Sequence, residues 1–120
     1  MINSSTKNRR RKEVRRVNTQ FKKGALELCV LSLLAGGDKY GYELTERISS
    51  EMSIAGGTLY PILRKLKEDD YVTTYLVESE SGPARKYYRL TEQGIQYQRA
   101  LKVEWEEFIK AVGKLIEAAE

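Results

Sequence analysis

Histidine is absent from the 120 residues, cysteine occurs once and proline twice. Without imidazole the chain has neither the usual neutral-pH proton shuttle nor a histidine-rich metal site. Cys29 alone cannot close an internal disulfide, which fits a reducing compartment. No run approaches the roughly 18 consecutive apolar residues of a membrane span. The polar N-terminus also lacks the apolar stretch of a secretory signal, so a cytoplasmic protein is expected. Gly-rich phosphate loops of the P-loop or dinucleotide type are missing as well. The expectation is a protein that is not an enzyme and that uses no cofactor or metal.

Cations are present, but unevenly placed. Residues 1–23 hold Lys7, Arg9, Arg10, Arg11, Lys12, Arg15, Arg16, Lys22 and Lys23 against Glu13, a local net of +8 that leaves −4 on the other 97 residues. A polyanion would therefore meet the N-terminal arm and small patches of the body, not a uniformly basic surface. Met1 to Asn18 shows no apolar periodicity and reads as an arm disordered when free. Its clustered Arg9, Arg10 and Arg11 are DNA-binding candidates through counterion release.

From Phe21 onward the pattern becomes that of a folded body. Leu26, Leu28, Cys29, Val30, Leu31, Leu33 and Leu34 make Gly24–Leu34 apolar on most sides, a buried helix stopped by Gly36-Gly37. Cys29 reads as inert core. A second helical segment follows Tyr40-Gly41-Tyr42, with Tyr42, Leu44, Ile48 and Met52 as inward candidates. Gly56-Gly57 precedes a third helix over Thr58–Lys67, in which Leu59, Ile62, Leu63 and Leu66 recur at helical spacing. Thr58, Tyr60, Pro61, Arg64, Lys65 and Lys67 are left outside. Pro61 is tolerated only near a helix start, so either the helix begins near Thr58 or its first turn is distorted at the glycines. In both cases backbone N–H groups there would be open to a phosphate.

Tyr71–Val77 is rich in β-branched and aromatic residues and reads as a strand. Glu78–Ala84, containing Gly82-Pro83, turns the chain. Arg85–Leu90 returns, with Tyr88 and Leu90 on one face and Arg85, Tyr87 and Arg89 on the other. Thr91 is the expected N-cap of a last helix running to about Ala118. In it Leu101, Trp105, Phe108, Val112 and Leu115 recur in steps of four and three, the seam of helix-on-helix packing. So long a stripe exceeds what this body can cover, and a second copy of the chain is the expected partner.

Three helices, a two-stranded wing and a trailing helix make a mainly α fold, a winged helix-turn-helix with a C-terminal dimerisation helix. The segments expected are an arm over 1–20, a DNA-binding domain over 21–90 and a dimerisation helix over 91–120. The chain also resembles the PadR family of bacterial transcriptional regulators. The resemblance is carried by Leu33-Leu34-Ala35 leading to Tyr40-Gly41-Tyr42-Glu43-Leu44, by Gly57-Thr58-Leu59-Tyr60-Pro61-Ile62-Leu63, and by Gly82-Pro83-Ala84-Arg85-Lys86-Tyr87-Tyr88 with Leu90-Thr91. It implies a homodimer that binds double-stranded operator DNA, usually as a repressor, with the helix from Thr58 as recognition helix and Glu78–Lys86 as wing. Asp69-Asp70 stands where the family commonly has a glycine, which asks Asp70 to turn left-handed.

On this reading Thr58, Tyr60, Arg64, Lys65 and Lys67 are DNA-binding candidates on the helix, and Arg85 and Lys86 on the wing. The solvated-face alternative is weaker because these cations flank a helix and a hairpin in the right order. Trp105 reads first as an interface anchor. Family members that sense aromatic drugs are similar in having a tryptophan in this part of the last helix, which makes Trp105 and Phe108 possible contacts for a small aromatic effector. The rival function is a winged-helix protein–protein adaptor, and the discriminating sign for it would be a recognition helix without cations.

Overall fold

The computed structural model describes residues 22–118. The basic arm, with Arg9, Arg10 and Arg11, lies outside the described residues. Helix α1, over 22–35, turns Leu26, Val30, Leu31 and Leu34 into the core. Leu28, Cys29 and Leu33 are half-buried on its flanks. The N–H groups of Gly36 and Gly37 close its end on the carbonyls of Leu33 and Leu34, each at 3.1 Å.

The chain then makes a strand that the sequence pattern does not announce, β1 (Lys39–Tyr40), and enters α2 (Gly41–Ser49). Two residues are too few to carry a periodicity. The backbone N–H of Tyr40, the N-cap of α2, donates to the Glu43 carboxylate at 3.4 Å. Leu44 and Ile48 are buried as expected, but Tyr42 is 61% exposed and not inward. Two residues on a helix turn a side chain about 200°, so Tyr42 and Leu44 cannot share a face. Met52 lies beyond the helix end and is half-buried against the core.

Helix α3 (Leu59–Glu68) buries Leu59, Ile62, Leu63 and Leu66. It starts at Leu59, so Pro61 falls in the first turn, where a backbone N–H would have no helical partner anyway. Gly57 supplies the left-handed turn before it, with φ 84°. The N–H of Thr58 is not open as expected but donates to the Ala55 carbonyl at 3.2 Å. At the other end Asp70 does take a left-handed conformation, with φ 63°. The Tyr71 N–H reaches back to the Leu66 carbonyl at 2.9 Å, the closing bond of a Schellman turn.

Strands β2 (Val72–Ser79) and β3 (Gly82–Leu90) form the wing. They pair antiparallel from Val72↔Leu90 to Ser79↔Gly82, with an irregularity between Val77 and Ser79. The reversal is at Glu80-Ser81, so Gly82-Pro83 already belongs to β3 and is not the turn. Pro83 is tolerated there because β1 pairs with β3 only at Tyr87 and Tyr88, leaving Pro83 on an open edge. The sheet order is β1-β3-β2. Its inner face brings Val72 and Tyr88 to the core, with Leu90 half-buried beside them.

Helix α4 (Glu92–Ala118) is joined tightly to this head. The Thr91 hydroxyl accepts from the Gly94 N–H at 2.9 Å, the expected cap, and donates to the Asp70 carbonyl at 2.6 Å. One side chain thus ties the end of α3 to the start of α4. Gly94 is buried against the Tyr71 carbonyl, and a Cβ there would overlap that oxygen. One turn on, Tyr97 stacks on Tyr71 with centroids 4.1 Å apart and donates its hydroxyl to Glu27 of α1 at 2.9 Å. Burial, then the Glu27 acceptor, push the Tyr97 hydroxyl up to about 12, so it stays protonated as the donor.

Replacing Gly94 by Ala should lower unfolding stability by about 1–3 kcal/mol, the usual range for forced overpacking. Urea denaturation reads this directly. An unchanged midpoint would mean that α4 can slide off Tyr71 at no cost.

Candidate nucleic-acid interface

The apolar stripe of α3 dictates what its other side presents. With Leu59, Ile62, Leu63 and Leu66 inside, Tyr60, Arg64 and Lys67 line up at spacings of four and three on one outer stripe. Pro61, Lys65 and Glu68 form a second stripe beside it, all exposed. Arg64, Lys65 and Lys67 are all exposed, as expected, but Lys65 shares its stripe with Glu68 and points to a different flank from Arg64. Thr58 is half-buried. Tyr60 is 51% exposed, and its ring edge lies near Gly41, at the start of α2, close to Tyr88.

The outer face of the sheet carries a row of rings. Tyr42 lies 6.1 Å from Tyr40, Tyr40 5.6 Å from Tyr87, and Tyr87 5.5 Å from Tyr75, centroid to centroid. The pairing explains this: Tyr40 and Tyr75 are both opposite Tyr87 on β3, and aromatic cross-strand neighbours attract. Arg85 and Arg89, two residues either side of Tyr87, share its face. The Arg85 guanidinium sits 4.8 Å from the Tyr40 ring centre and that of Arg89 4.9 Å from the Tyr75 ring centre. Lys86 is exposed on the other side of the same strand.

Arg89 is further engaged. Its Nε donates to the Asp38 carboxylate at 2.9 Å, and the Tyr75 hydroxyl donates to the same oxygen at 2.6 Å. That hydroxyl is held above the ordinary tyrosine range, mainly by its hydrogen bond to Asp38. The alternation along β3 is visible in the sequence; this clamp is not. Asp38 sits 51 positions from Arg89, and only the β1–β3 pairing brings the two together.

Along α4 the seam residues divide. Leu101, Trp105 and Val112 are half-buried, while Phe108 is 53% and Leu115 72% exposed. Ile109 and Ile116, which the seam pattern leaves out, are exposed beside them, and Val103 is exposed on the far side of the helix. Trp105 and Phe108 lie 6.4 Å apart, ring to ring. They border a cleft of about 680 Å³ whose other wall is Gly24, Ala25 and Leu28 of α1. Cys29 lines a separate, smaller cleft with Ile48 and Met52, and burial pushes its thiol up, away from reactivity. Among the described residues there is no acidic, cysteine or histidine cluster able to hold a metal. None of their helices is long and apolar enough to cross a membrane.

The model of the transcriptional regulator PadR-like family matches residues 30–100, which covers α1 beyond its first turns, the whole wing and the start of α4. The chain belongs to the PadR-like family. Its members are transcriptional regulators that bind DNA, typically as dimers and generally without enzymatic activity, and this chain is a DNA-binding transcription regulator. A PadR family regulator from Eggerthella lenta superposes with a TM-score of 0.75 at 31% identity, over 88% of this chain and 94% of that one. A PadR-like regulator from Bacillus cereus gives 0.72 at 30% identity, over 81% and 96%. In sequence, an uncharacterized protein of Lysinibacillus sphaericus is 31% identical over 87% of this chain and 99% of its own length. The Escherichia coli transcriptional regulator YqjI is 37% identical over 64% of this chain, which spans only 37% of that longer protein. The winged helix-turn-helix expectation is met, with one strand more than the sequence pattern indicates.

Proposed function

We propose that this PadR-like chain is a homodimeric repressor that acts in the cytoplasm on a pseudo-palindromic operator. The observation that carries the reading is the outer stripe of α3, where Tyr60, Arg64 and Lys67 are displayed together beside the start of α2 and the wing. A helix with that face enters a major groove, with Arg64 able to reach a guanine edge or a phosphate. Thr58, Lys65, Arg85 and Lys86 serve the flanking backbone. The arm, residues 1–20, adds Arg9, Arg10 and Arg11 along phosphates or in a minor groove. Cations on α3 are what an adaptor that merely kept this fold would lack.

Dimerisation falls to α4. Its 27 residues extend about 40 Å at 1.5 Å per residue, and Phe108, Leu115 and their exposed apolar neighbours offer a continuous stripe to a second copy. Two recognition helices would then meet half-sites about 34 Å apart. The cleft between α1 and Trp105 has mainly apolar walls, with Glu104 and Glu107 at its border, and suits a planar aromatic effector. A molecule wedged there would shift α4 away from α1 and alter the spacing of the two heads.

Arg64→Ala should weaken operator binding at least tenfold in a gel shift at fixed salt, and more than Lys65→Ala does; equal or negligible losses would remove Arg64 from the groove. Deleting residues 1–18 should reduce the log–log salt slope of binding by roughly 0.9 for each phosphate the arm neutralises, and an unaltered slope would show the arm idle. Phe108→Glu combined with Leu115→Glu should give a folded monomer by sedimentation velocity. A variant that stays dimeric would place the interface elsewhere.

A further inference from the structure

We infer that Tyr40 is a positioning residue for DNA binding: its ring holds the Arg85 guanidinium at the start of α2 without neutralising it, ready for a backbone phosphate. The inference rests on the DNA-binding reading of the wing given above.

Two arginines on one strand face have contrasting surroundings. Arg89 stacks on Tyr75 and also donates to Asp38 at 2.9 Å. Its charge is matched by a carboxylate, and it staples the wing to the turn before β1. Arg85 stacks on Tyr40 at 4.8 Å, and among the described residues it has no carboxylate partner. An aromatic face attracts a cation through its quadrupole but carries no net charge. The guanidinium is thus restrained while its positive charge remains available. A phosphate contact needs both properties, because a free arginine loses side-chain entropy on binding and a paired one has no charge to offer.

Tyr40 is itself held from several sides. It ends β1 opposite Tyr87, caps α2 through its backbone N–H on Glu43, and lies between the rings of Tyr42 and Tyr87. Its ring therefore fixes Arg85 relative to α2, and through Gly41 and Tyr60 relative to α3. The Tyr40 ring thus joins the wing to the start of α2, which Tyr60 of the recognition helix approaches at Gly41.

The test measures affinity and salt dependence on a mixed-sequence duplex of about 30 base pairs, since a phosphate contact needs no particular sequence. Tyr40→Leu should weaken binding about threefold to tenfold, the scale of one cation–π contact, and lower the salt slope toward that of Arg85→Ala. Adding Arg85→Ala to Tyr40→Leu should then cost almost nothing more. Tyr40→Phe, which keeps the ring, should bind like wild type. Arg85→Lys, which keeps the charge but not the planar stack, should show the Tyr40→Leu loss without touching the strand–helix junction and so serves even where Tyr40→Leu folds poorly. Arg89→Ala should leave the slope unchanged. Independent, multiplying effects of Tyr40→Leu and Arg85→Ala, or full affinity in Arg85→Lys, would overturn the inference. Absence of duplex binding by the wild-type protein would instead bring down the DNA-binding reading on which it rests.

Discussion

The face that α3 displays follows from the burial of that helix's other stripe. Leu59, Ile62, Leu63 and Leu66 are each almost wholly removed from water, and fully burying a side chain of this kind stabilises the fold by about 1.5–3 kcal/mol. Once that stripe is committed to the core, helical geometry leaves Tyr60, Arg64 and Lys67 nowhere to go but outward. The functional face is therefore a by-product of the hydrophobic one. No separate structural device orients the cations, and a slip of one residue in α3 would both expose a leucine and bury a charge.

The rest of the head is arranged around that helix. Before it, Gly57 takes the left-handed turn; after it, Asp70 does the same without a glycine's freedom, at a cost of about 1–2 kcal/mol. That cost is offset where it arises, because the Asp70 carbonyl accepts the Thr91 hydroxyl and so anchors α4. Gly94, Tyr71 and Tyr97 complete a stiff joint in which the long helix has little freedom relative to α3. In the proposed dimer a displacement of α4 would consequently be transmitted to the head instead of being absorbed at a loose hinge. On the opposite side the Asp38–Arg89–Tyr75 clamp performs the same service for the wing.

Much of this is legible in the residues. The helical spacing in α3, the wing strands, the Thr91 cap and the strain at Asp70 all rest on local rules, and each appears in the structure. What escapes depends on neighbours distant in the chain. Strand β1 is too short to show a period and exists only because β3 lies beside it. Tyr42 invites an inward placement because it is aromatic, although its two-residue offset from Leu44 already puts it on the far side of α2. Gly82-Pro83 looks like a turn, yet the reversal falls two residues earlier, at Glu80-Ser81. The division of labour between Arg85 and Arg89 is invisible for the same reason, since it is set by Asp38 and Tyr40 from another part of the chain.

Amide hydrogen exchange on the full-length protein, with and without duplex DNA, tests most directly whether the outward stripe of α3 is the binding surface. The proposed interface requires slowed exchange across Leu59–Glu68, at the start of α2 and along the wing strand from Gly82 to Tyr87, with the far half of α4 unaffected. Protection confined to α4, or none on α3, would contradict it.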